Sequence, residues 1–566
     1  MNFLISEYIS LLKEDGELDS LLLDVLNAQG IVPVSKPKKG RQYGVDIAAV
    51  GVEEGVKKLF LITVKQGNIT RAVWDSGQNS VRQSLNEIKE TYINISLTPS
   101  QKKLPIKIVV ATNGDMEQTV LTTWAQYAVS NRAKKLEYQF WGQDDISKMV
   151  TDQLLSERLF NPEMRSLLKK TLAFLELKAY NLNHYNSLVD LILEKPIKSK
   201  KPLLKKLKLV HICLKIIFKW AMDNGNLRPV LKAADKTIIK VYDWLEGQNH
   251  FEKEYILNEF YGIHLTRRNI GIAYYNKVSD HYFIEHSMQQ YSKNQIEYNL
   301  TVWEEIGILA NFGLTEIRHY QFHLGPDTQE LARTLEKSIL DLSEALVSLI
   351  NTNPTARYPL YDDHLIDIAP AMRFLYVTGK KEVCDKWLKQ LVVGIFDGKM
   401  LKGFFPLFRE NYENLVDYYL GIKTQQEKSS MLLTLLADWA VILDSSETYQ
   451  NIRTIVELFK GELDLQIWFP KPETEKYYLN NGYSRESGSV KHSIVLYEEM
   501  EDYRKELEEE IKLFSPEKKY KCVGNGYDVI FSISSHYHRE LPFPSYWRRF
   551  IEDGRKMYPN PQDNTV

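Results

Sequence analysis

A carboxylate and an amine on two neighbouring predicted strands are the residues of this chain best suited to catalysis. Asp46 and Lys65 lie on either side of a predicted hairpin turn at Glu54-Gly55. In the simplest register Asp46 faces Thr63, and because side chains alternate along a strand, Lys65 shares that face. A carboxylate beside an ammonium could hold a divalent cation next to a phosphodiester and stabilise charge at the attacked phosphorus.

The elements around these residues predict the sheet that must position them. The predicted order is helix 5–28, strand 30–35, hairpin strands 43–50 and 59–66, helix 77–95, strand 107–112, helix 116–132, strand 136–141 and helix 143–154. Short strands rich in valine and isoleucine that alternate with helices are typical of an α/β sheet covered by helices. On the second hairpin strand, Ile62 and Val64 should point away from Asp46 into apolar cover.

Residues 44–47 read Gly-Val-Asp-Ile and residues 63–66 read Thr-Val-Lys-Gln. This pair of phrases resembles the PD-(D/E)XK nucleases, and within them the Mrr-like restriction endonuclease branch, over about the first 155 residues. The resemblance implies a restriction-endonuclease-like domain, with a central mixed sheet flanked by helices. It also implies that Asp46 binds the metal, that Lys65 is the catalytic lysine and that Gln66 is a supporting polar group.

Two further positions determine how a metal would be held. The family tends to carry a carboxylate about eleven residues before the glycine that closes the first helix, and Asp19 lies eleven residues before Gly30. Thr63 stands where the family has Glu, Asp or Gln. Because a hydroxyl is a weak uncharged ligand, Mg²⁺ or Mn²⁺ would be held mainly by Asp46, Asp19, a backbone carbonyl and water. Glu87, on the helix after the hairpin, is a possible substitute for the missing acid.

Basic residues near the hairpin and in the run 194–208 predict contact with a polyanion. They are Lys36, Lys38, Lys39, Arg41, Arg71, Lys200, Lys201 and Lys205. Neutralised phosphates and released counterions supply most of the non-specific affinity for nucleic acid, so double-stranded DNA is the expected substrate. The alternative for any one of these residues is a solvated surface position, and for 194–208 a solvated hinge.

Composition excludes several classes of protein. The chain has 566 residues, of which 44% are hydrophobic and 26% charged, as in globular proteins of two to four domains. The net charge of −2 means that any grip on nucleic acid comes from local patches. Three widely separated cysteines argue against disulfides and a zinc finger. Without a credible membrane span, signal peptide or GxxxxGK[ST] phosphate loop, the expectation is a cytoplasmic protein that does not itself bind ATP.

Four regions are expected along the chain. They are a nuclease-like domain at 1–155, a basic linker with the first helices at 156–210, a helical array serving as scaffold or sensor at 211–465, and a small α+β segment at 466–566. Apolar residues spaced three and four apart, as in 335–349, predict amphipathic helices, and no fixed repeat period is found. Residues 527–544 predict one or two strands, on which His536 and His538 would share a face.

Proteins that join a restriction-type nuclease to a helical sensor are common in prokaryotic defence against phage and plasmids. The resemblance therefore implies a metal-dependent endodeoxyribonuclease that acts as the effector of such a system, as a homo-oligomer or with a separate defence protein. Two alternatives stay open: a degenerate nuclease fold that binds DNA without cutting it, and an interaction scaffold.

Overall fold

The computed structural model divides the chain into two compact units. The first comprises Met1–Ala233 and Glu252–Ile263, and the second Ala234–Phe251 and His264–Val566. The first unit therefore extends past residue 155. Within these units the structure describes residues 6, 8–35, 43–76, 80–154, 161–177, 180–194, 196–197, 199–247, 253–323, 329–408, 410–424, 428–480, 488–513 and 520–553.

A five-stranded mixed sheet forms the centre of the first unit. In spatial order its strands are β1 (Val32–Ser35), β2 (Ile47–Glu53), β3 (Val56–Lys65), β4 (Ile106–Thr112) and β5 (Leu136–Trp141). The first three strands pair antiparallel, whereas β3, β4 and β5 pair parallel. All seven residues of β4 are buried, as expected of a central parallel strand covered on both faces. The predicted α/β sheet is confirmed at this level.

Helices cover both faces of this sheet. The helices of the first unit are α1 (Asp19–Ala28), α2 (Arg71–Asp75), α3 (Val81–Glu87), α4 (Ile93–Ile95), α5 (Gln118–Ser130), α6 (Gln143–Leu154), α7 (Pro162–Leu175), α8 (Asn183–Leu193) and α9 (Lys200–Asn224), with π-helical turns at Glu14–Leu18 and Ile88–Tyr92. On one face, Leu61 and Val110 belong to a core that includes Trp74 and Leu85. On the other face α1 packs against β2 and α6.

The hairpin has the register that the sequence predicts. Ile47 pairs with Ile62 and Glu53 with Val56, so Asp46 lies opposite Thr63 and the turn has two residues. Those residues, Glu54 and Gly55, have φ of 51° and 78°. Two successive left-handed residues are the type I′ arrangement that matches the twist of a hairpin. Ile62 and Val64 are buried, as predicted.

The second unit is mainly helical. Two helices, α10 (Arg228–Glu246) and α11 (Glu254–Tyr282), run from the first unit into the second. The remaining helices are α12 (Gln295–Phe322), α13 (Gln329–Thr352), α14 (Leu365–Val377), α15 (Lys381–Lys402), α16 (Tyr412–Tyr419), α17 (Leu432–Ile442), α18 (Ser446–Glu457), α19 (Thr474–Asn480), α20 (Met500–Leu513), α21 (Lys521–Gly524), α22 (Val529–His538) and α23 (Ser545–Asp553). Leu335, Leu342, Leu346 and Leu349 of α13 are buried, as their spacing predicts. Within the parts of the chain just described, none of the helices is long and apolar enough to span a lipid bilayer.

Short strands occur in the second unit, but one predicted strand region is wrong. The strands β6 (Ser429–Ser430) and β7 (Asp464–Leu465) form one pair, and β8 (Ile467–Phe469) and β9 (Ser489–Lys491) another. Residues 529–538, predicted as strand, form the helix α22, in which Ile530 to Ser535 are all buried. A short run that is buried on every side carries no period that separates helix from strand. His536 and His538 therefore lie about 200° apart around a helix and do not share a face.

The basic run that enters α9 also differs from a hinge. Lys200, Lys201 and Lys205 lie in the first two turns of this 25-residue helix. Leu203 and Leu207, on the same turns, are buried. The lysines are therefore presented by a packed amphipathic helix, and the solvated-hinge alternative does not hold for residues 200–208.

Candidate functional site

Asp46 lies at the edge of the sheet where β3, β4 and β5 end. Its backbone N donates to the Ile62 carbonyl at 2.9 Å. Its carboxylate oxygen Oδ2 accepts hydrogen bonds from Val64 N at 2.7 Å and from Thr63 Oγ1 at 3.3 Å. Since the carboxyl ends of strands in open α/β sheets are the usual place for ligands, the hairpin fixes an acid at a favourable edge.

Gly44 explains how the chain reaches this position. It has φ of 78°, and a Cβ added there would lie 2.9 Å from the carbonyl carbon of Ser84 on α3. The neighbouring Val45 is buried in the core. Only a residue without a side chain can adopt this backbone conformation at such close range to a helix. Gly44 and Val45 therefore anchor the strand entrance that presents Asp46.

Three charged groups converge at this edge. Burial is the main reason that the pKa of Asp46 is raised, and the carboxylate of Asp19 raises it further. The Val64 N–H, the ammonium of Lys65 and the Thr63 hydroxyl act in the opposite direction. The charges of Lys65 and Asp19 thus both contribute to the pKa of Asp46, in opposite directions. Lys65 is half-buried, and no described residue accepts a hydrogen bond from its ammonium or forms an ion pair with it.

The donor set at this edge suits a hard divalent cation. Asp46 Oδ1 accepts no hydrogen bond from the described residues. Over that same part of the chain, no group of three or more His, Cys, Asp or Glu is placed to hold a metal ion. Mg²⁺ keeps several waters and binds through one or two carboxylates and substrate phosphate, whereas zinc sites need nitrogen or sulfur ligands. The carboxylates of Asp46 and Asp19 are oxygen donors of the type that Mg²⁺ or Mn²⁺ takes.

Thr63 and Gln66 occupy different environments. The Thr63 side chain is 0% exposed, and its hydroxyl donates to Asp46. A buried hydroxyl in this arrangement orients the acid and lies too deep to touch a substrate. Gln66 is exposed directly after β3, where its amide faces solvent.

Asn113 is a residue of this edge that the sequence did not single out. Its side chain is 1% exposed, and its Oδ1 accepts from Gly67 N at 2.7 Å. Its Nδ2 donates to the carbonyls of Leu12 at 2.7 Å and Ile9 at 3.2 Å. One amide thus joins the loop after β3, the loop after β4 and the N-terminal segment. The phrase Thr-Asn-Gly-Asp directly after a buried strand is the signal that could have indicated it.

The loops after β3 and β4 also touch through their backbones. A Cβ on Gly114 would lie 2.5 Å from the carbonyl carbon of Gly67. Thr112 Oγ1 donates to the Gly67 carbonyl at 2.6 Å, and Asn68 Oδ1 accepts from Asp115 N at 3.0 Å. These contacts hold the chain that follows Lys65 in one conformation.

The predicted basic residues are distributed unevenly. Lys36, Lys38, Lys39 and Arg41 lie outside the described residues. Arg71 is exposed at the start of α2, just past the loop that follows Lys65. Lys205 pairs with Glu17, two residues before Asp19, at 2.5 Å. The ammonium of Lys200 lies 4.4 Å from the Tyr255 ring centroid, and Lys201 is exposed.

The alternative acid Glu87 is engaged on its own helix, where its Oε1 accepts from Gln83 at 3.3 Å. Asp19 is the acid whose charge contributes to the pKa of Asp46.

Comparison of the chain with protein-family models, curated proteins and solved structures finds no match.

Proposed function

We propose that the first unit is a metal-dependent endonuclease that hydrolyses phosphodiester bonds of DNA. The observation that carries the proposal is that Asp46, at the edge where β3 and β4 end, has one carboxylate oxygen that accepts no hydrogen bond from the described residues, while the charges of Asp19 and Lys65 contribute to its pKa. The resemblance of Gly44 to Ile47 and Thr63 to Gln66 to the PD-(D/E)XK pattern supports the same reaction.

The roles of the side chains follow from their positions. A bound Mg²⁺ or Mn²⁺ would polarise the phosphodiester and lower the pKa of a water. Asp46 and Asp19 would hold that cation, and the buried Thr63 hydroxyl keeps the Asp46 carboxylate in place. Lys65 supplies positive charge where negative charge develops at the attacked phosphorus. Arg71 and Lys201, both exposed, would contact the flanking phosphates.

A plasmid-nicking assay with Mg²⁺ and with Mn²⁺ tests the proposal. Asp46→Asn and Lys65→Ala should each abolish cutting while DNA binding persists, because both remove groups from the reaction and leave the sheet intact. Lys57→Ala is the matched control, since Lys57 is exposed on the same strand β3 at the end remote from Asp46. Cutting that survives in both site variants, or is lost equally in Lys57→Ala, would sink the assignment.

A second candidate is a nuclease fold that binds DNA without cutting it. Thr63 in the position of an acid, and the absence of a third acidic, histidine or cysteine ligand among the described residues, favour this candidate. Salt-sensitive DNA binding by the wild type with no cutting in either metal would establish it over the enzyme. Absence of binding as well would leave the interaction scaffold.

The wider role that we propose is that of an effector in prokaryotic defence against phage or plasmids, acting as a homo-oligomer or with a defence partner. This role rests on the resemblance alone. Phages should form fewer plaques on cells that produce the wild-type protein than on cells that produce the Asp46→Asn variant. Equal plaque numbers across a panel of phages, from a protein that nicks DNA in vitro, would separate the enzyme from the defence role.

A further inference from the structure

A cavity of about 410 Å³ lies within the second unit, and Leu360 and Phe404 in its wall belong to a buried apolar cluster. It is enclosed by the start of α12, the segment 354–360, the second half of α15 and the end of α16. Aromatic, proline and aliphatic side chains supply most of the lining, and its charged groups are Asp397 and Lys402. The cavity therefore combines an apolar wall with a few polar groups, as small-molecule sites do.

The two charged groups of the described lining do not pair with each other. Asp397 is half-buried, and it forms no hydrogen bond or ion pair with any described residue. Lys402 is held by Tyr419, whose hydroxyl accepts from Nζ at 3.2 Å and whose ring centroid lies 4.7 Å from Nζ. Because a carboxylate partly withdrawn from water is costly without a partner, a cation brought by a ligand would stabilise Asp397.

Asn299 adds an acceptor without a donor to the same lining. Its side chain is 3% exposed, and its Nδ2 donates to Thr355 Oγ1 at 2.6 Å and to the Tyr358 carbonyl at 2.7 Å. Because a carbonyl can only accept, these bonds fix which end of the amide is the nitrogen. The buried Oδ1 accepts no hydrogen bond from the described residues. Since buried polar atoms are almost always paired, this oxygen favours a ligand that carries N–H donors.

The walls of the cavity are fixed to one another. The hydrogen bonds just described tie the segment 354–360 to α12. On α15, a Cβ added to Gly394 would overlap the Arg357 carbonyl, so this helix touches the same segment through its backbone. The rings of Phe404 and Tyr419 meet edge to face, with centroids 5.7 Å apart. A cavity that is formed before the ligand arrives loses little conformational entropy on binding.

We propose that this cavity binds a small organic molecule that carries a protonated amine and an apolar body. Asp397 pairs with the ammonium, and the aromatic and proline side chains of the wall cover the apolar body. The volume of about 410 Å³ lies in the range of small-molecule sites. An anionic ligand is disfavoured, because Asp397 repels it and Lys402 is already engaged by Tyr419. This inference does not depend on the nuclease activity proposed for the first unit.

Saturation-transfer difference NMR titrations of the full-length protein with 2-phenylethylamine, 2-phenylethanol and 3-phenylpropanoate test the proposal. The three probes share a phenyl ring and differ in the charge at the other end. The amine should bind, the alcohol should bind about tenfold more weakly, and the acid should not bind measurably. Asp397→Asn should weaken binding of the amine by about tenfold and leave binding of the alcohol unchanged. Glu382→Gln, at an exposed acid in the first turn of α15 outside the cavity, is the matched control and should bind as the wild type does.

Asp397→Lys gives a result that damage to the fold would not produce. Reversal of the charge should reverse the preference, so this variant should bind 3-phenylpropanoate and no longer bind the amine. Three results would overturn the proposal: no binding of the amine by the wild type up to about 5 mM, equal binding of the amine and the alcohol, or an unchanged preference for the amine in a folded Asp397→Asn or Asp397→Lys variant.

Discussion

Asp46 lies in a place that favours the neutral form of its carboxyl group. Burial and Asp19 raise its pKa, and the Val64 N–H, Lys65 and Thr63 only partly offset them. A raised folded-state pKa means that the native protein binds this proton more tightly than the unfolded chain does. The stabilisation that this bound proton gives is complete at pH values below the pKa of the unfolded state. It is lost as the pH rises through the pKa of the folded state. The ionised carboxylate is therefore less favourable to the fold than the neutral acid.

Asp46→Asn should accordingly be more stable than the wild type while it loses activity. At pH 7.5 its melting temperature should rise by about 1–3 °C, and the difference should shrink as the pH falls and the wild-type acid takes up its proton. Differential scanning fluorimetry at several pH values measures this. Asp75→Asn, at an exposed acid, is the control and should change little. A lower melting temperature for Asp46→Asn at pH 7.5 would contradict the electrostatic account.

The Thr63 hydroxyl should be visible in the pH profile of cutting. Because it stabilises the ionised Asp46, Thr63→Val should move the acid limb of the nicking rate to higher pH. Thr63→Ser keeps the hydroxyl and should leave the limb where it is. A Val variant that loses activity equally at all pH values would show that Thr63 has only a packing role.

At the scale of the element, periodicity explains which parts of the fold are predictable. β5 and α6 have the predicted bounds, and β4 is one residue longer, because their apolar patterns are clear and local. The pairing of Asp46 with Thr63 follows from a two-residue turn that fixes the register. Asn113 escaped prediction because its partners lie about a hundred residues away, where no local pattern reaches. α22 was mistaken for strand because it is buried on every side.

Gly44 and Gly55 allow the cost of backbone strain to be measured separately from the cost of a steric clash. Gly44 and Gly55 both have φ of 78°, but only Gly44 has a neighbour, the Ser84 backbone, within 4 Å of an added Cβ. Gly55→Ala should cost about 1–2 kcal/mol, from the left-handed conformation alone. Gly44→Ala should cost about 3 kcal/mol or more, because strain and a clash with α3 add together.

Chemical denaturation with urea measures both glycine variants, and their nicking rates show whether α3 moves Asp46. Equal destabilisation by the two substitutions would mean that the approach of Gly44 to Ser84 is relaxed in solution.

At the scale of the molecule, the chain passes between the two units three times, at 233/234, 251/252 and 263/264. Residues 252–263 return to the first unit, where Glu259 binds Lys208 of α9 at 2.9 Å and His211 at 3.0 Å. Burial acts to raise the pKa of Glu259, but His211 and Lys208 outweigh it and hold the pKa below its usual value. The first unit is therefore complete only when this later segment is in place.

Glu259→Ala should destabilise the first unit by about 3–5 kcal/mol, because it leaves the buried Lys208 without this carboxylate. Hydrogen exchange should show loss of protection in residues 200–224, and little change in 432–457. The difference in stability between wild type and variant should become smaller at acid pH. Because the pKa of Glu259 is lowered in the folded protein, its carboxylate stabilises the fold at neutral pH, and this stabilisation is lost as the pH falls through the folded-state pKa. Glu285→Ala, at an exposed glutamate, is the control. Unchanged exchange in α9 would refute the link.

The hydrogen bonds of Asn113 set an order of events in the folding of the chain during its synthesis. Its amide closes on carbonyls that lie 104 and 101 positions earlier, at Ile9 and Leu12. The residues of β4 and Asn113 must therefore leave the ribosome before Asn113 can form hydrogen bonds with the segment that precedes Asp19. Until then Asp46 and Lys65 lie on a hairpin that lacks the neighbouring strand β4 and the loop that follows it. Under the proposed function, a polypeptide interrupted before residue 113 should therefore lack nuclease activity.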